Sequence, residues 1–241
     1  AAINSDPIFS DYNHLAIVDG EVIPEEVATI FEKGLQADVP VMIGSNSDEG
    51  SAFMPYFSPL FGVGVEGFDN YLAGSSLAEA DPQKLGEEYP SENDDQAEES
   101  MSHLMADEVF TYPMRVWARS MASVKNDAYL YWFTWEPPVE NTKELGSFHG
   151  AEIGYVFGNL ELFGATPTKA DEEFSEMMAT IWTQFAKTGS PNGPGLPEWQ
   201  PYSSDTESYM ELGPNTGPGS ELRITKMDLI ADAWKERRQK E

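Results

Sequence analysis

VPVMIGSNSDEG, Val39 to Gly50, is the stretch whose reading decides the fold. Its first part, Val39 to Ser45, is β-branched and nearly all apolar, and is bounded by Asp38 and by Ser45-Asn46. Such a run reads as a buried strand, and unbroken apolarity suits a sheet covered on both faces. The loop after it holds Asp48, Glu49 and Gly50. It lies at the carboxyl end of the strand, where open α/β sheets carry their sites. Upstream, Asp19-Gly20 marks a turn, and Pro24 opens a helix through EEVATIFEKGL that ends near Gly34. Downstream, AYLYWFTW, Ala128 to Trp135, is a second strand, stopped by Pro137-Pro138.

Between the two strands the pattern is helical. Residues 54–100 hold Pro55, Pro59, Pro82, Pro90 and the acidic run SENDDQAEES. They read as helices and loops of a peripheral cap, with 91–98 a helix start or an exposed loop. Apolar residues from Met101 through Leu104, Met105, Val109, Phe110, Met114 and Trp117 to Met121 recur at helical spacing. Pro113 interrupts or restarts that helix. Phe174, Met177, Met178, Ile181, Trp182 and Phe185 form the stripe of an amphipathic helix over 170–188. TESYMELG predicts a short final strand, and MDLIADAWKERRQKE a final helix with cations in its last turns. Strands alternating with helices argue an α/β class. Only two central strands are clear, and no internal repeat is visible.

The chain has 241 residues, enough for one large domain or two small ones, and 40% of them are hydrophobic, which suffices for a packed core. Lysine and arginine number 14 against 42 acidic residues, a net charge of −28. That balance excludes nucleic acid and anionic membranes as partners and points to a strongly solvated surface, or to adaptation to salt. Cysteine is absent, so disulfides and thiolate metal sites are excluded. No run approaches the ~20 apolar residues of a membrane helix. The opening residues lack a charged segment followed by an apolar one, so no signal peptide is expected. The expectation is a soluble protein, cytoplasmic or secreted, with a saline environment as one reading of the charge.

Histidine is the side chain whose ordinary pKa suits a general base near neutrality. There are three: His14, His103 and His149. His103 falls in a helical stretch and His14 in an early loop, and both read as structural. His149 sits in G-S-F-H-G, where flanking glycines let the backbone turn sharply. Glu49 has a favourable position after the first strand, and Gly50 permits an unusual backbone angle. A buried carboxylate there could orient His149 and stabilise its charged form. On residue chemistry alone Asp48 is an equally good acid, and each residue keeps its plain reading.

VDGEVIPEEVATIFEKGLQADVPVMIGSNSDEGSAF, Val18 to Phe53, resembles a segment of the type B carboxylesterases, the cholinesterase-like α/β-hydrolases. In that family a VDG-x-x-(L/I)-P turn leads to (V/I)-P-V-(M/L)-I-G-x-N-x-D-E-G. FHGAEIGYVFG, Phe148 to Gly158, is similar to the family's H-G-x-E-I-x-Y-V-F-G. WTQFAKTGSPN and LPEWQPY are similar to its W-x-x-F-A-x-T-G-x-P-N and the W-x-x-Y after it. The blocks lie in the family's order from about Asp19 to Tyr202.

The resemblance implies that Glu49 is the acid and His149 the base of a Ser-His-Glu triad, in a hydrolase of small carboxylic esters that needs no cofactor and no metal. It places Glu152 and Ser51 beside the triad and Phe53 in an acyl or alcohol pocket. It also implies that residues 1–241 are the C-terminal part of one α/β-hydrolase domain, with about 54–125 as a helical cap.

The family's nucleophile motif, G-x-S-x-G, is missing, as is its H-G-G-G-type oxyanion loop. Ser76, in G-S-S-L-A, and Ser147 and Ser51, close in sequence to the pair, are the remaining serines weighed. The expected partner is either a second chain bringing the missing strands and serine, or further copies of this chain covering the half-fold. A non-catalytic cholinesterase-like binding module and an inactive truncated fragment are the competing readings.

Overall fold

The computed structural model describes residues 17–139 and 145–240, without the side chains of Phe163 and Lys240. His14 lies outside the described residues. Residues 1–38 and 39–241 form two separate contact units.

In the first unit, the Asp19 carboxylate accepts the backbone N–H groups of Glu21, Val22 and Ile23, which closes the expected turn. The helix after Pro24 is α1, Val27–Glu32, shorter than expected. Gly34, at φ 65°, follows its end.

The second unit is built on a sheet of four strands in the order β1-β2-β3-β4. β1, Val41–Asn46, lies parallel to β2, Ala128–Phe133, in a register from Val41↔Ala128 to Asn46↔Phe133. β3, Ser208–Leu212, lies parallel to β2, and β4, Gly217–Ser220, turns back antiparallel to β3. The sequence predicts three of these strands, and the sheet has four among the described residues. The unforeseen one is β4, whose Gly-Pro-Gly-Ser sequence has little strand propensity. It is held by pairing with β3, and the Tyr209 ring occupies the space where a Gly219 side chain would begin. In β1, Ile43, Ser45 and Asn46 are buried while Val41, Met42 and Gly44 are half-buried. That cover is less complete than a continuous apolar run suggests, because β1 is an edge strand of this sheet.

The segment between β1 and β2 is helical: α2 Met54–Phe61, α3 Gly64–Gly74, α4 Pro82–Glu88, α5 Asp94–Ala106 and α6 Tyr112–Met121. α5 starts inside the acidic run, where the Asn93 side chain caps it by accepting the Gln96 N–H. Between α5 and α6 the chain makes one π turn, Asp107–Thr111. Of the two readings of Pro113, interruption and restart, the structure bears out the restart. Pro113 occupies the first turn of α6, and the change in winding comes before it. After β2 come α7, Ala151–Val156, and α8, Lys169–Thr188. α9, Ile224–Lys240, starts three residues before the predicted MDLIADAW helix.

α8 is closed at both ends as its sequence dictates. Thr168 and Asp171 form a capping box, and Gly189 adopts the left-handed conformation after the last turn. Its stripe, Phe174, Met178 and Ile181, packs with Tyr129, Phe133 and Tyr155 into one core. Each fully buried side chain of that size contributes about 2 kcal/mol. A second core joins Phe68, Leu77, Tyr89, Met101 and Leu104 with Met227 and Ile230 of α9.

Candidate active site

β1 ends at Asn46 and the chain passes directly into the loop carrying Ser47 to Gly50. A second loop, 145–150, runs beside it. Asp48 and Phe148 form a lone parallel bridge, and the Asp48 N–H donates to the Ser147 carbonyl at 3.2 Å. The Asp48 carboxylate accepts the Ser147 N–H at 3.0 Å and the Ser47 hydroxyl at 2.5 Å. Asp48 thus ties the two loops together, which separates its role from that of its neighbour.

Glu49 is 5% exposed. Its Oε1 accepts the Asn46 N–H at 2.8 Å, and its Oε2 lies 2.6 Å from His149 Nδ1. A carboxylate only accepts, so Nδ1 carries the hydrogen in neutral His149 and Nε2, on the far side of the ring, is the acceptor, with no hydrogen-bond partner among the described residues. The hydrogen bond that His149 donates to Glu49 raises the His149 pKa above its ordinary value; burial opposes this, and the charges of Glu49 and Glu152 add to it. The side chain remains 48% exposed. Phe53 and Phe110 flank the ring, with centroids 5.2 and 4.8 Å away, and stack on each other at 6.0 Å. Phe110 belongs to the π turn, a feature common near functional sites.

Glu152 lies in the first turn of α7. Burial raises its pKa, and a hydrogen bond from Asn46 pulls it back. The Asn46 amide donates to Glu152 Oε2 at 2.7 Å and to the Phe148 carbonyl at 2.8 Å. Residue-level reading missed Asn46 and Phe110 as site residues. The signal for Asn46 is a polar side chain closing an apolar strand, which must find partners if it is buried. No local signal marks Phe110.

Two glycines shape the loops. Gly150, at φ 81°, precedes α7 in the left-handed region and turns the chain straight after His149. Gly50 has φ −70°, so the expected unusual angle is absent. It is required instead for closeness, because a Cβ there would lie 2.0 Å from the Ser102 carbonyl oxygen of α5.

The remaining candidates have other partners. The Ser51 hydroxyl lies 2.7 Å from both the Asp48 and Leu145 carbonyls, bracing the loops. Ser147 is fully buried and its hydroxyl donates to the Trp135 carbonyl at 2.8 Å. Ser76 donates its N–H to Glu108 at 2.6 Å. His103 sits in α5, where burial lowers its pKa, helped by the cations Arg223 and Lys226. Among the described residues, no group of three or more His, Asp or Glu is placed to hold a metal ion, and no helix is long and apolar enough to cross a membrane.

A family model described as "Carboxylesterase family" matches residues 9–230. The chain is 31% identical to Carboxylesterase 4A of Bos taurus over 88% of its own length and 40% of that protein. It is 30% identical to Carboxylesterase 1D of Mus musculus over 93% of its length and 41% of that protein. It is also 30% identical to the Para-nitrobenzyl esterase of Bacillus subtilis (strain 168) over 86% of its length and 41% of that protein. The chain therefore spans about two fifths of the length of these curated relatives.

Proposed function

Because the chain belongs to the carboxylesterase family, we propose that it supplies the acid and the base of a carboxylic ester hydrolase, Glu49 and His149. The observation that carries this reading is the 2.6 Å contact between buried Glu49 and His149 Nδ1, which leaves Nε2 free on a half-exposed ring. The nucleophilic serine belongs, in this proposal, to a part of the esterase outside this chain. Residues 1–241 are then the C-terminal part of its α/β-hydrolase domain, with about 54–125 as its helical cap.

The chemistry follows from the pair. Nε2 of His149 takes the serine proton as Oγ attacks the ester carbonyl. The imidazolium formed is stabilised by Glu49. It then gives that proton to the departing alkoxide as the carbon–oxygen bond breaks, leaving an acyl-serine. His149 next deprotonates water, which attacks the acyl carbon, and returns the proton to serine as the carboxylic acid leaves. Phe53 and Phe110, against the ring, form an apolar wall for the acyl or alcohol group.

The open edge of β1 supports a partner of defined form. A strand from the serine-bearing part, hydrogen-bonded to β1, would remove that edge. Co-expression with a polypeptide carrying G-x-S-x-G tests the proposal, with native mass spectrometry to detect the pair and p-nitrophenyl acetate as substrate. His149→Ala is expected to lower turnover by about 1,000-fold or more. Undiminished hydrolysis in that variant would sink the assignment.

A further inference from the structure

The hydrogen bonds around Asn46 converge on both members of the proposed pair. Asn46 is 1% exposed and closes β1. Its backbone N–H holds Glu49 Oε1. Its side-chain amide holds the carbonyl of Phe148, the residue before His149, and the carboxylate of Glu152, three residues after His149. Both side-chain neighbours accept, so the NH₂ must face them and the amide has one admissible orientation. The segment bearing His149 is gripped on both sides by the last residue of β1, whose backbone N–H also holds Glu49.

We propose that Asn46 is a positioning residue of this site: its side chain clamps the His149 segment against the end of β1, next to the loop that carries Glu49, and holds the Glu152 carboxylate in place near the ring. This rests on the reading of Glu49 and His149 as acid and base, and extends it to a residue that meets neither substrate nor reacting atoms. The physical case is one of desolvation. Glu152 is half-buried, and drawing a carboxylate out of water without a donor favours its neutral form. The Asn46 donation opposes that uptake. An ionised Glu152 adds to the attraction that keeps the proton on His149. Among the described residues, the titratable groups facing this region are Glu49 from the loop after β1, Glu152 from α7, and Tyr131 from β2. Burial, and then Glu152 and Glu49, push the Tyr131 phenol up, so it stays neutral and does not compete.

The test reads His149 itself and needs no turnover. The full chain, labelled with ¹⁵N-histidine, is titrated by NMR as the parent and as Asn46→Ala, Glu152→Gln and the double variant, with His149→Gln to assign the resonance. Asn46→Ala removes the donor that opposes proton uptake by Glu152, and Glu152→Gln removes its charge while keeping an acceptor for Asn46. Each is expected to lower the His149 midpoint by about half a pH unit or more. The double variant is expected to lower it no further than the larger single effect, since both act through one link. A midpoint unchanged in Glu152→Gln, or effects that add in the double variant, overturns the proposal. Glu152→Gln, which keeps shape and hydrogen bonding, carries the test if Asn46→Ala does not fold. If instead His149→Ala leaves esterase turnover intact, the functional reading fails while the Asn46 link is still read from the midpoints.

Discussion

Replacing Glu49 by Gln changes one atom and asks one question of the pair. The amide oxygen takes the place of Oε1 and keeps the Asn46 N–H bond of 2.8 Å. The amide NH₂ then faces His149 Nδ1 across the former 2.6 Å contact. Two donors cannot face each other, so the imidazole moves its hydrogen to Nε2 and presents Nδ1 as acceptor. Nε2 becomes a donor and can no longer take a proton from serine. Loss of one charge-assisted hydrogen bond is worth about 1.5–3 kcal/mol, or about 10- to 150-fold in rate. Loss of the correct tautomer removes the base itself, about 10,000-fold or ~5.4 kcal/mol. The two sizes are far enough apart to decide between them. The assay is kcat/KM for p-nitrophenyl acetate against pH in the reconstituted esterase. Because the Glu49 hydrogen bond is the first cause raising the His149 pKa, the acid limb of the residual activity should also move to lower pH. A loss under about 100-fold, or an acid limb left in place, would refute the tautomer argument.

Gly50→Ala places a Cβ 2.0 Å from the Ser102 carbonyl oxygen, so α5 or the loop must move; urea unfolding should show a loss of about 2–3 kcal/mol, and a loss below about 0.5 would remove the close-approach argument. Arg115 makes paired bonds of 2.6 and 2.7 Å to Glu207, and their side chains are 6% and 10% exposed. Arg115→Leu should destabilise by about 3 kcal/mol, since it strips a buried carboxylate of its main partner, and a change below about 1 kcal/mol would contradict this. Burial alone would raise the Glu207 pKa, but Arg115 and Arg119 hold it below its ordinary value. Its contribution to stability is therefore present above the unfolded carboxylate pKa and lost as pH falls through the lower folded value. A melting curve that stays flat on acidification through that range would argue against it. At a net charge of −28, added NaCl should screen self-repulsion and raise the melting temperature by about 4 °C between about 0.1 and 2 M salt; a flat response would dismiss adaptation to salt.

β1 and β2 were visible in sequence because burial in a sheet demands a continuous apolar run, and α8 because its stripe keeps one period for about three turns. β4 was hidden because its pairing with β3 overrides its Gly and Pro content. The π turn was hidden because one additional residue hardly alters an apolar spacing read over 21 positions from Met101 to Met121. In the site, the ordered motifs singled out Glu49 and His149, whereas residue chemistry left Asp48 equal to Glu49. What separates them is that Asp48 bonds to Ser147 and Ser47, while Glu49 meets His149. The Asn46 link to Glu152 joins residues 106 apart in sequence, and no local pattern reports such a contact.

A π turn holds one residue more than an α-helical path requires. Residues 94–121 form a single rod with that surplus in the middle. On one side of it Asp107 receives hydrogen bonds from Tyr89 and Arg223 at 2.8 Å each, and on the other Phe110 lies against His149. Deleting any one residue of 107–111 would restore α winding and turn one end of the rod by about 100° against the other. Asp107 and Phe110 could not then both keep their neighbours. Chain length at this point is thus a discrete, inherited quantity: a single-codon insertion or deletion forces a choice between the Arg223 cation and the histidine.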